Sequence, residues 1–595
     1  MRTYGTLTLS GADWILDKIE PHVSIRLKQL FPRIAKASTC PYTIPHNDIL
    51  DADIAWFLSR YPLAMTDADR DALTGGRLRF EDNLAAMEQI LLKDYKPPAA
   101  LGLRPGQKQR HYQAQAVEVL KRRGRLLLGD IGGMGKTYTA AQFLAATPDS
   151  LPAAVVCDPH MQRQWKDKLE THTTLRVHIV KTGTPFVTKV VKGKRTKVKE
   201  ALPPADVYLF RVTQIAGWVE IFAQGFFKAV VFDEPQSLRT GTGTQKGAAA
   251  KTLSNHVQYR LGLTATPIYG YGIEIWNVMQ FIDDQVLGKF EDFSREWCND
   301  TGRIADPKAL GAYLREQHVF LRRLKGDVGL ELPKVSRIVE HVDYDQKTLA
   351  SIEALAEKLA VKATTGEFTE RGQAVRELDM LVRQQTGISK APAVAQFVRL
   401  LLEAGEPVIL AGWHRSVYDI WLRDLADFKP AMYTGTESIS QKARSAHDFM
   451  SGETNLLIIS LRSGAGLDGL QFRCSTIVFG ELDWSPGIHQ QLIWRIDRDG
   501  QTKPVTAFYL VTDDGSDPPI MEVLGIKASE AAGIVDPSLG VQVVDTDTTN
   551  LRMLVERYLK SRGRQADSDD MEPPALVQEV PLPSLPAPLV QNTLF

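Results

Sequence analysis

Cysteine is scarce in this chain. Four cysteines, Cys40, Cys157, Cys298 and Cys474, are spread through 595 residues, and none forms a Cys-x-x-Cys pair. That spacing excludes a zinc ribbon and a disulfide framework and suits a reducing compartment. No apolar run reaches the roughly 18 residues that would span a bilayer, and Met1 to Leu9 lacks the pattern of a signal peptide. The expectation is a soluble, cytoplasmic protein with no membrane partner. Excess charge is missing too: 71 basic residues balance 71 acidic ones. The chain is therefore no polycation, and any nucleic-acid contact must come from local patches. What remains is ordinary globular composition, 44% hydrophobic and 24% charged, over a length that implies several domains with separate cores.

The chain is organised around Arg125 to Thr137. Leu126 to Leu128 read as a buried strand, Gly132, Gly133 and Gly135 as a loop, and Lys136 to Ala146 as a helix stopped by Thr147-Pro148. Glycines free to adopt positive φ let backbone N–H groups approach an anion, and the helix start adds its own. In such a loop Lys136 reaches the β- and γ-phosphates and the Thr137 hydroxyl helps hold Mg²⁺. Asp130 stands where the strict phosphate-loop pattern has its first glycine. Upstream, Gln113 is the choice for reading an adenine edge, with Gln107 the runner-up.

More strands follow. Ala153 to Cys157 runs into a helix ending near Trp165, and Ala229 to Phe232 ends in Asp233-Glu234-Pro235-Gln236. Acids at a strand's C-terminal end, downstream of a phosphate loop, suit two jobs: Asp233 holding Mg²⁺ through water and Glu234 polarising the attacking water. Tyr259 to Leu263 leads into Thr264-Ala-Thr266-Pro267, whose hydroxyls suit sensing of the γ-phosphate. Strands alternating with helices predict a doubly wound parallel sheet with ligands at its C-terminal edge. Before it, residues 1–100 predict a small α+β module. Strand-like Thr6 to Ser10 and helical periodicity over Asp51 to Tyr61 and Phe80 to Asp94 support this. Its role is either a structural cap or a contact with DNA or a partner.

Gly129-Asp-Ile-Gly-Gly-Met-Gly-Lys-Thr137, Val155 to Trp165, Val230 to Gln236 and Leu261 to Pro267 together resemble the first motor lobe of superfamily-two helicases. Phe320-Leu-Arg-Arg-Leu-Lys-Gly-Asp-Val-Gly-Leu-Glu-Leu-Pro333 is similar to the bridge of the Swi/Snf branch. Glu406 to His414, Leu456 to Leu470, Thr476 to Gly487 and Gln490 to Gln501 resemble the second lobe, nearest the annealing-helicase branch. The resemblance implies an α/β fold of two RecA-like lobes, with ATP and Mg²⁺ between them. It implies catalytic roles for Lys136, Asp233, Glu234, Arg495 and Arg498. Nucleotide contacts would come from Gln113, Gly132, Gly133, Met134, Gly135, Lys136, Thr137, Tyr138, Gln236, Gly466 and Asp468, and coupling from Thr264, Thr266 and Gln491. Metal contacts fall to Thr137 and Asp233. From the residues alone, Arg495 and Arg498, three apart, would share a helix face, and two planar cations suit a transferring phosphoryl group. Against the family pattern, Ile131 replaces an acid, Gln236 a histidine, Trp494 an aspartate and Asp497 a histidine.

Two segments are candidates for DNA. Thr188 to Lys199 reads as a basic hairpin carrying Lys189, Lys192, Lys194, Arg195 and Lys197, either on a phosphate backbone or simply solvated. Arg322, Arg323 and Lys325 form a shorter patch in the bridge, and the resemblance adds Thr213, Thr436 and Arg462. The expected division is an accessory module over 1–100, a first lobe over 101–335, a helical protrusion over 336–388, a second lobe over 389–545, a terminal helix over 546–565 and a disordered tail over 566–595. The tail is acidic, then proline-rich. Its end, Gln591-Asn-Thr-Leu594-Phe595, is similar to the pentapeptide with which bacterial replication proteins grip the β sliding clamp. The other reading is a frayed apolar end. The expected function is an ATP-dependent translocase or remodeller of double-stranded or forked DNA, monomeric, in a bacterial or phage-infected cell. The alternatives are a strand-separating helicase and a nucleotide-gated DNA-binding protein that hydrolyses little.

Overall fold

The computed structural model describes residues 2–522 and 524, except 192–193, 200, 266–272, 300–303, 366–367 and 463–466. The expected terminal helix, the tail and Gln591, Leu594 and Phe595 lie outside the described residues, as do Lys192, Thr266 and Gly466.

Two parallel sheets make the body. The first has seven strands in the order Phe320–Leu321, Arg125–Leu128, Tyr259–Leu263, Ala229–Asp233, Ala153–Cys157, Val207–Arg211 and Val177–Ile179. Its central strands are apolar on both faces because helices cover both, and Leu126 to Leu128 and Ala153 to Val155 are fully buried. The glycine loop and the acid pair follow strands separated by one neighbour, Tyr259–Leu263, so both sit on the same C-terminal edge.

The second sheet has six parallel strands in the order Val335–His341, Val505–Val511, Thr476–Phe479, Val408–Gly412, Leu456–Ser460 and Ala431–Tyr433. This corrects the expected protrusion over 336–388. Its first residues are an edge strand of lobe two, paired along Val505–Val511. The expected 388/389 boundary falls inside one helix, Phe368–Glu403, which runs from the protrusion into the lobe. The protrusion is that helix packed on Glu353–Thr365 through Ala356, Ala360, Leu378 and Val382.

The N-terminal module is an antiparallel sheet of Thr6–Ser10, Asp13–Asp17 and Tyr42–Pro45 with helices Pro21–Leu30, Asp48–Arg60 and Asp67–Leu91. The last helix starts well before the expected Phe80. Gly76 lies within it, and a Cβ there would meet the Asp51 carboxylate at 1.8 Å, so the glycine admits close helix packing at the expense of helix propensity. Asp51 is fully buried and accepts from Trp14 Nε1 at 2.7 Å and lies 2.9 Å from His46 Nδ1. The module leans on lobe one: Arg33 pairs with Glu296 at 3.1 Å, and Gln115 Nε2 donates to the Ile90 and Leu92 carbonyls. No helix among the described residues is long and apolar enough to cross a membrane.

Candidate nucleotide site between the lobes

Gly133 and Gly135 have φ of 87° and 76°, a region open to glycine, and these turns release the chain into the helix Lys136–Ala146. Lys136 starts that helix with its ammonium folded back on the loop, donating to the Asp130 carbonyl at 2.6 Å and the Ile131 carbonyl at 3.4 Å. Burial pulls its pKa down to about 8, against the opposing pull of Glu234 and Asp130. Asp233 ends its strand and accepts from Trp165 Nε1 at 2.7 Å. Burial and the adjacent charge of Glu234 push its pKa up to about 7. Glu234 takes φ 51°, a strained conformation for a residue with a Cβ and one found most often at working sites. Gln236 Nε2 donates to Glu234 Oε2 at 2.5 Å, so the residue standing for histidine orients the acid.

Lobe two closes the cleft. The helix Pro486–Ile496 ends before Arg498, which corrects the expectation that Arg495 and Arg498 share a helix face. The turn after the helix brings them together: Arg498 Nη1 lies 2.5 Å and Arg495 Nη1 3.9 Å from Asp468 Oδ1. Lys168, from the lobe-one helix Gln162–His172, reaches Asp468 Oδ2 at 2.5 Å. Asp468 thus gathers cations from both lobes. Trp494 packs on the phosphate loop, where a Cβ added at Gly132 would lie 2.3 Å from its ring. Lys325 of the bridge pairs with Asp497 at 2.7 Å and donates to its carbonyl at 2.6 Å. Arg110 pairs with Asp499. Three side chains at and just beyond the end of one helix, Trp494, Asp497 and Asp499, therefore each meet lobe one.

A cavity of about 670 Å³ runs between the lobes, and its lining includes Lys136, Thr137, Asp233, Glu234, Arg495 and Arg498. Gln107, Arg110, Gln113, Tyr138 and Gln491 line it too. Thr264 is buried and its N–H donates to the Leu128 carbonyl at 3.1 Å. Gln113 is committed within the protein: its Oε1 accepts from the Arg110 N–H at 3.1 Å and its Nε2 donates to the Met134 carbonyl at 3.3 Å. Gln107 Oε1 lies 2.8 Å from His172 Nδ1. Thr137 and Asp233 offer the hard oxygen donors that Mg²⁺ takes. Among the described residues no three acidic, histidine or cysteine side chains converge, so phosphate and water would complete its shell.

The expected DNA residues fall apart into groups. Arg323 is corrected outright: it is buried, its Nε and Nη2 donate to the Asp130 carboxylate, and its Nη1 donates to the Tyr112 carbonyl at 2.7 Å. Arg322 likewise turns inward, Nη1 donating to the Gly129 and Ala265 carbonyls at 2.9 and 3.0 Å. Arg462 is more than half exposed, stacked over Trp413 and paired with Asp483 at 3.1 Å. Thr213 and Thr436 are exposed. The hairpin Phe186–Val191 and Lys194–Lys199 pairs antiparallel, Lys189 opposite Thr196 and Val190 opposite Arg195. Sequence reading missed Lys168, Arg110 and Asp499, and took Lys325, which pairs with Asp497, for part of the DNA patch. Only Gln164 and Lys168, four apart on one helix face and flanking Trp165, left a periodic trace of the site.

A phosphate loop and acid pair on one parallel sheet face paired arginines from a second across the cleft, an arrangement whose residue types suit a nucleotide site. Residues 112–388 match the family model described as the SNF2-related domain. Over that span, a little under half of the chain, the sequence is similar to the SNF2-related family. Among curated proteins it is 24% identical over 477 residues to the Xenopus laevis SWI/SNF-related matrix-associated actin-dependent regulator of chromatin subfamily A-like protein 1, covering 76% of this chain and 47% of that one. It is 23% identical over 436 residues to the human DNA annealing helicase and endonuclease ZRANB3, covering 69% and 39%. The chain spans about half the length or less of these relatives. A Sulfolobus solfataricus SWI2/SNF2 ATPase core solved with dsDNA aligns over 78% of this chain and 99% of that one, at 17% identity and a TM-score of 0.36.

Proposed function

We propose that this chain is an ATP-driven translocase that remodels or reanneals duplex DNA. The carrying observation is the cavity bounded by Lys136 and the Asp233–Glu234 pair on one lobe and by Arg495 and Arg498 on the other. Two lobes that each hold half of a hydrolytic site must close to work, and closure is the motion a motor needs. DNA as the track is supported by the printed name of the annealing helicase among the relatives and by the basic hairpin.

In this reading Lys136 leaves the loop carbonyls for the phosphates, while the loop amides hold their oxygens. Glu234, oriented by Gln236, takes a proton from the attacking water as the bond from the γ-phosphorus to the β-bridging oxygen breaks. Arg495 and Arg498 transfer from Asp468 to the charge that develops on the γ-phosphoryl group. Mg²⁺, held through Thr137 and Asp233, would neutralise phosphate charge. Losing the γ-phosphate lets the lobes part, and contacts to phosphates rather than bases make the movement independent of sequence. On sequence alone, Gln591, Leu594 and Phe595 extend the proposal to a bacterial β-clamp partner, two apolar anchors beside an amide after an acidic and proline-rich stretch.

The test is the ATPase rate with single-stranded, duplex, forked and RNA ligands. Duplex or forked DNA should stimulate it about tenfold or more, and Lys136→Ala should remove the stimulated rate. Stimulation by RNA alone, or by no nucleic acid, would overturn the proposal.

A further inference from the structure

The cavity lining includes an aromatic ring that the hydrolytic chemistry does not use. Phe472 closes a short turn, Leu470–Phe472, in lobe two. Leu470 is fully buried and anchors the turn, whereas Phe472 is 71% exposed, the most exposed large apolar side chain among the described residues. A lone exposed phenylalanine is ordinary on a surface. This one lines the cavity between the lobes, as do Gln107, Arg110 and Tyr138.

Its surroundings hold it there. A Cβ at Gly500 would lie 2.4 Å from the ring, so the glycine gives the ring a flat backbone to rest on. Gln471 Nε2 donates to the Asp499 carbonyl at 3.2 Å, tying the turn to the same loop. Asp499 in turn pairs with Arg110 of lobe one. An aromatic ring from one lobe and a planar guanidinium from the other are thereby brought to one cavity, joined through a single residue. The backbone N–H of Arg110 is bonded to Gln113, which holds Met134 of the phosphate loop. The pair is therefore tied to the phosphate loop.

We propose that Phe472 is a base-stacking residue: with the lobes closed, the purine of the nucleotide lies between the Phe472 ring and the Arg110 guanidinium. The inference rests on the nucleotide reading above and adds base recognition supplied by lobe two. A flat apolar ring and a weakly hydrated planar cation both favour the face of a heterocycle over water. Because Phe472 and Arg110 belong to different lobes, the base itself rewards closure.

The experiment compares ATP with ribose triphosphate, which has the phosphates and sugar but no base, on the full chain. Binding is measured by calorimetry and turnover by phosphate release. Phe472→Ala should weaken ATP binding and raise its KM about tenfold, in the range that base–aromatic stacking supplies. It should leave ribose triphosphate affinity and duplex affinity within about twofold, and Phe472→Trp should restore ATP. Equal losses for both nucleotides, unchanged ATP affinity, or a selective loss of duplex affinity would overturn the proposal. A wild-type chain that binds ATP without hydrolysing it refutes the motor reading but still decides this one through the binding arm. Wild-type affinity for ATP no greater than for ribose triphosphate overturns the stacking role.

Discussion

Arg323 Nε and Nη2 donate to the two carboxylate oxygens of Asp130 at 3.0 and 2.6 Å, and the Arg323 backbone N–H adds a third bond at 3.0 Å. An acid inside a phosphate-binding loop would repel its ligand. Here a buried guanidinium, itself over the Tyr112 ring at 5.4 Å, neutralises it and ties the loop to the interlobe bridge. Removing one partner of a buried pair strands the other charge, typically at a cost of about 3–5 kcal/mol. Arg323→Ala should therefore lower the urea midpoint of lobe one, and adding Asp130→Ala should recover part of the loss. Unchanged stability with weaker duplex binding would return Arg323 to the DNA surface.

That pair shows where the sequence stopped being legible. The buried strands announced themselves as apolar runs, and the glycine loop and acid pair as local motifs whose chemistry needs neighbours in sequence. Asp130 and Arg323 stand 193 residues apart, and an arginine beside another basic residue reads as a surface patch until its partner is known. The edge strand Val335–His341 is half exposed and shows no apolar run, so it passed for the start of the protrusion. The turn that brings Arg498 beside Arg495 also has no periodic signature.

Lys136→Ala and Glu234→Gln should each abolish stimulated ATPase, by about a hundredfold or more, while thermal unfolding stays close to wild type. Both side chains are held by the loop or by Gln236 and take no part in either lobe's apolar core. Near wild-type turnover by either variant would refute the site.

His489 makes lobe two acid-sensitive. It lies buried between the Phe479 and Tyr509 rings, accepts from the Asp483 N–H at Nε2, and its Nδ1 lies 3.1 Å from the Ser485 carbonyl, the pattern of a neutral ring. Burial pulls its pKa from 6.5 down to about 4, against the nearby Asp483 charge, with Arg383 adding a small push in the same direction as burial. The unfolded chain then binds the proton more readily than the folded one. Stability from this group is full above pH 6.5 and is lost as pH falls from 6.5 towards 4, by at most about 1.4 kcal/mol per pH unit. Urea midpoints measured from pH 7.5 to 4.5 should fall for wild type and flatten in His489→Gln; parallel curves would exclude the histidine.

The hairpin Phe186–Val191 and Lys194–Lys199 concentrates basic residues in a chain of zero net charge. Replacing Lys189, Lys194 and Lys197 with glutamate should weaken duplex binding and flatten its dependence on salt, because about one fewer counterion is released for every phosphate the lysines no longer neutralise. An unchanged slope would leave the hairpin a solvated surface.

Asp468 offers the sharpest test of how the lobes are coupled. Its two oxygens hold Arg498 and Lys168 at 2.5 Å each, from opposite sides of the cleft. Burial alone would raise its pKa, but the charges of Lys168 and Arg498 outweigh it and hold the carboxyl well below the usual range, so it stays ionised. A γ-phosphate must take the arginines from this carboxylate before they can act on the transition state. Asp468→Asn removes the competing charge and one tie between the lobes. It should bind ATP roughly fivefold more tightly, while interlobe fluorescence transfer without nucleotide shows the lobes farther apart. Arg498→Ala should do the opposite to catalysis alone, with turnover down about a thousandfold, ATP affinity near wild type and Arg495→Ala similar or milder. If Asp468→Asn instead loses ATP affinity, the carboxylate belongs to the binding site and does not compete with the nucleotide for its arginines.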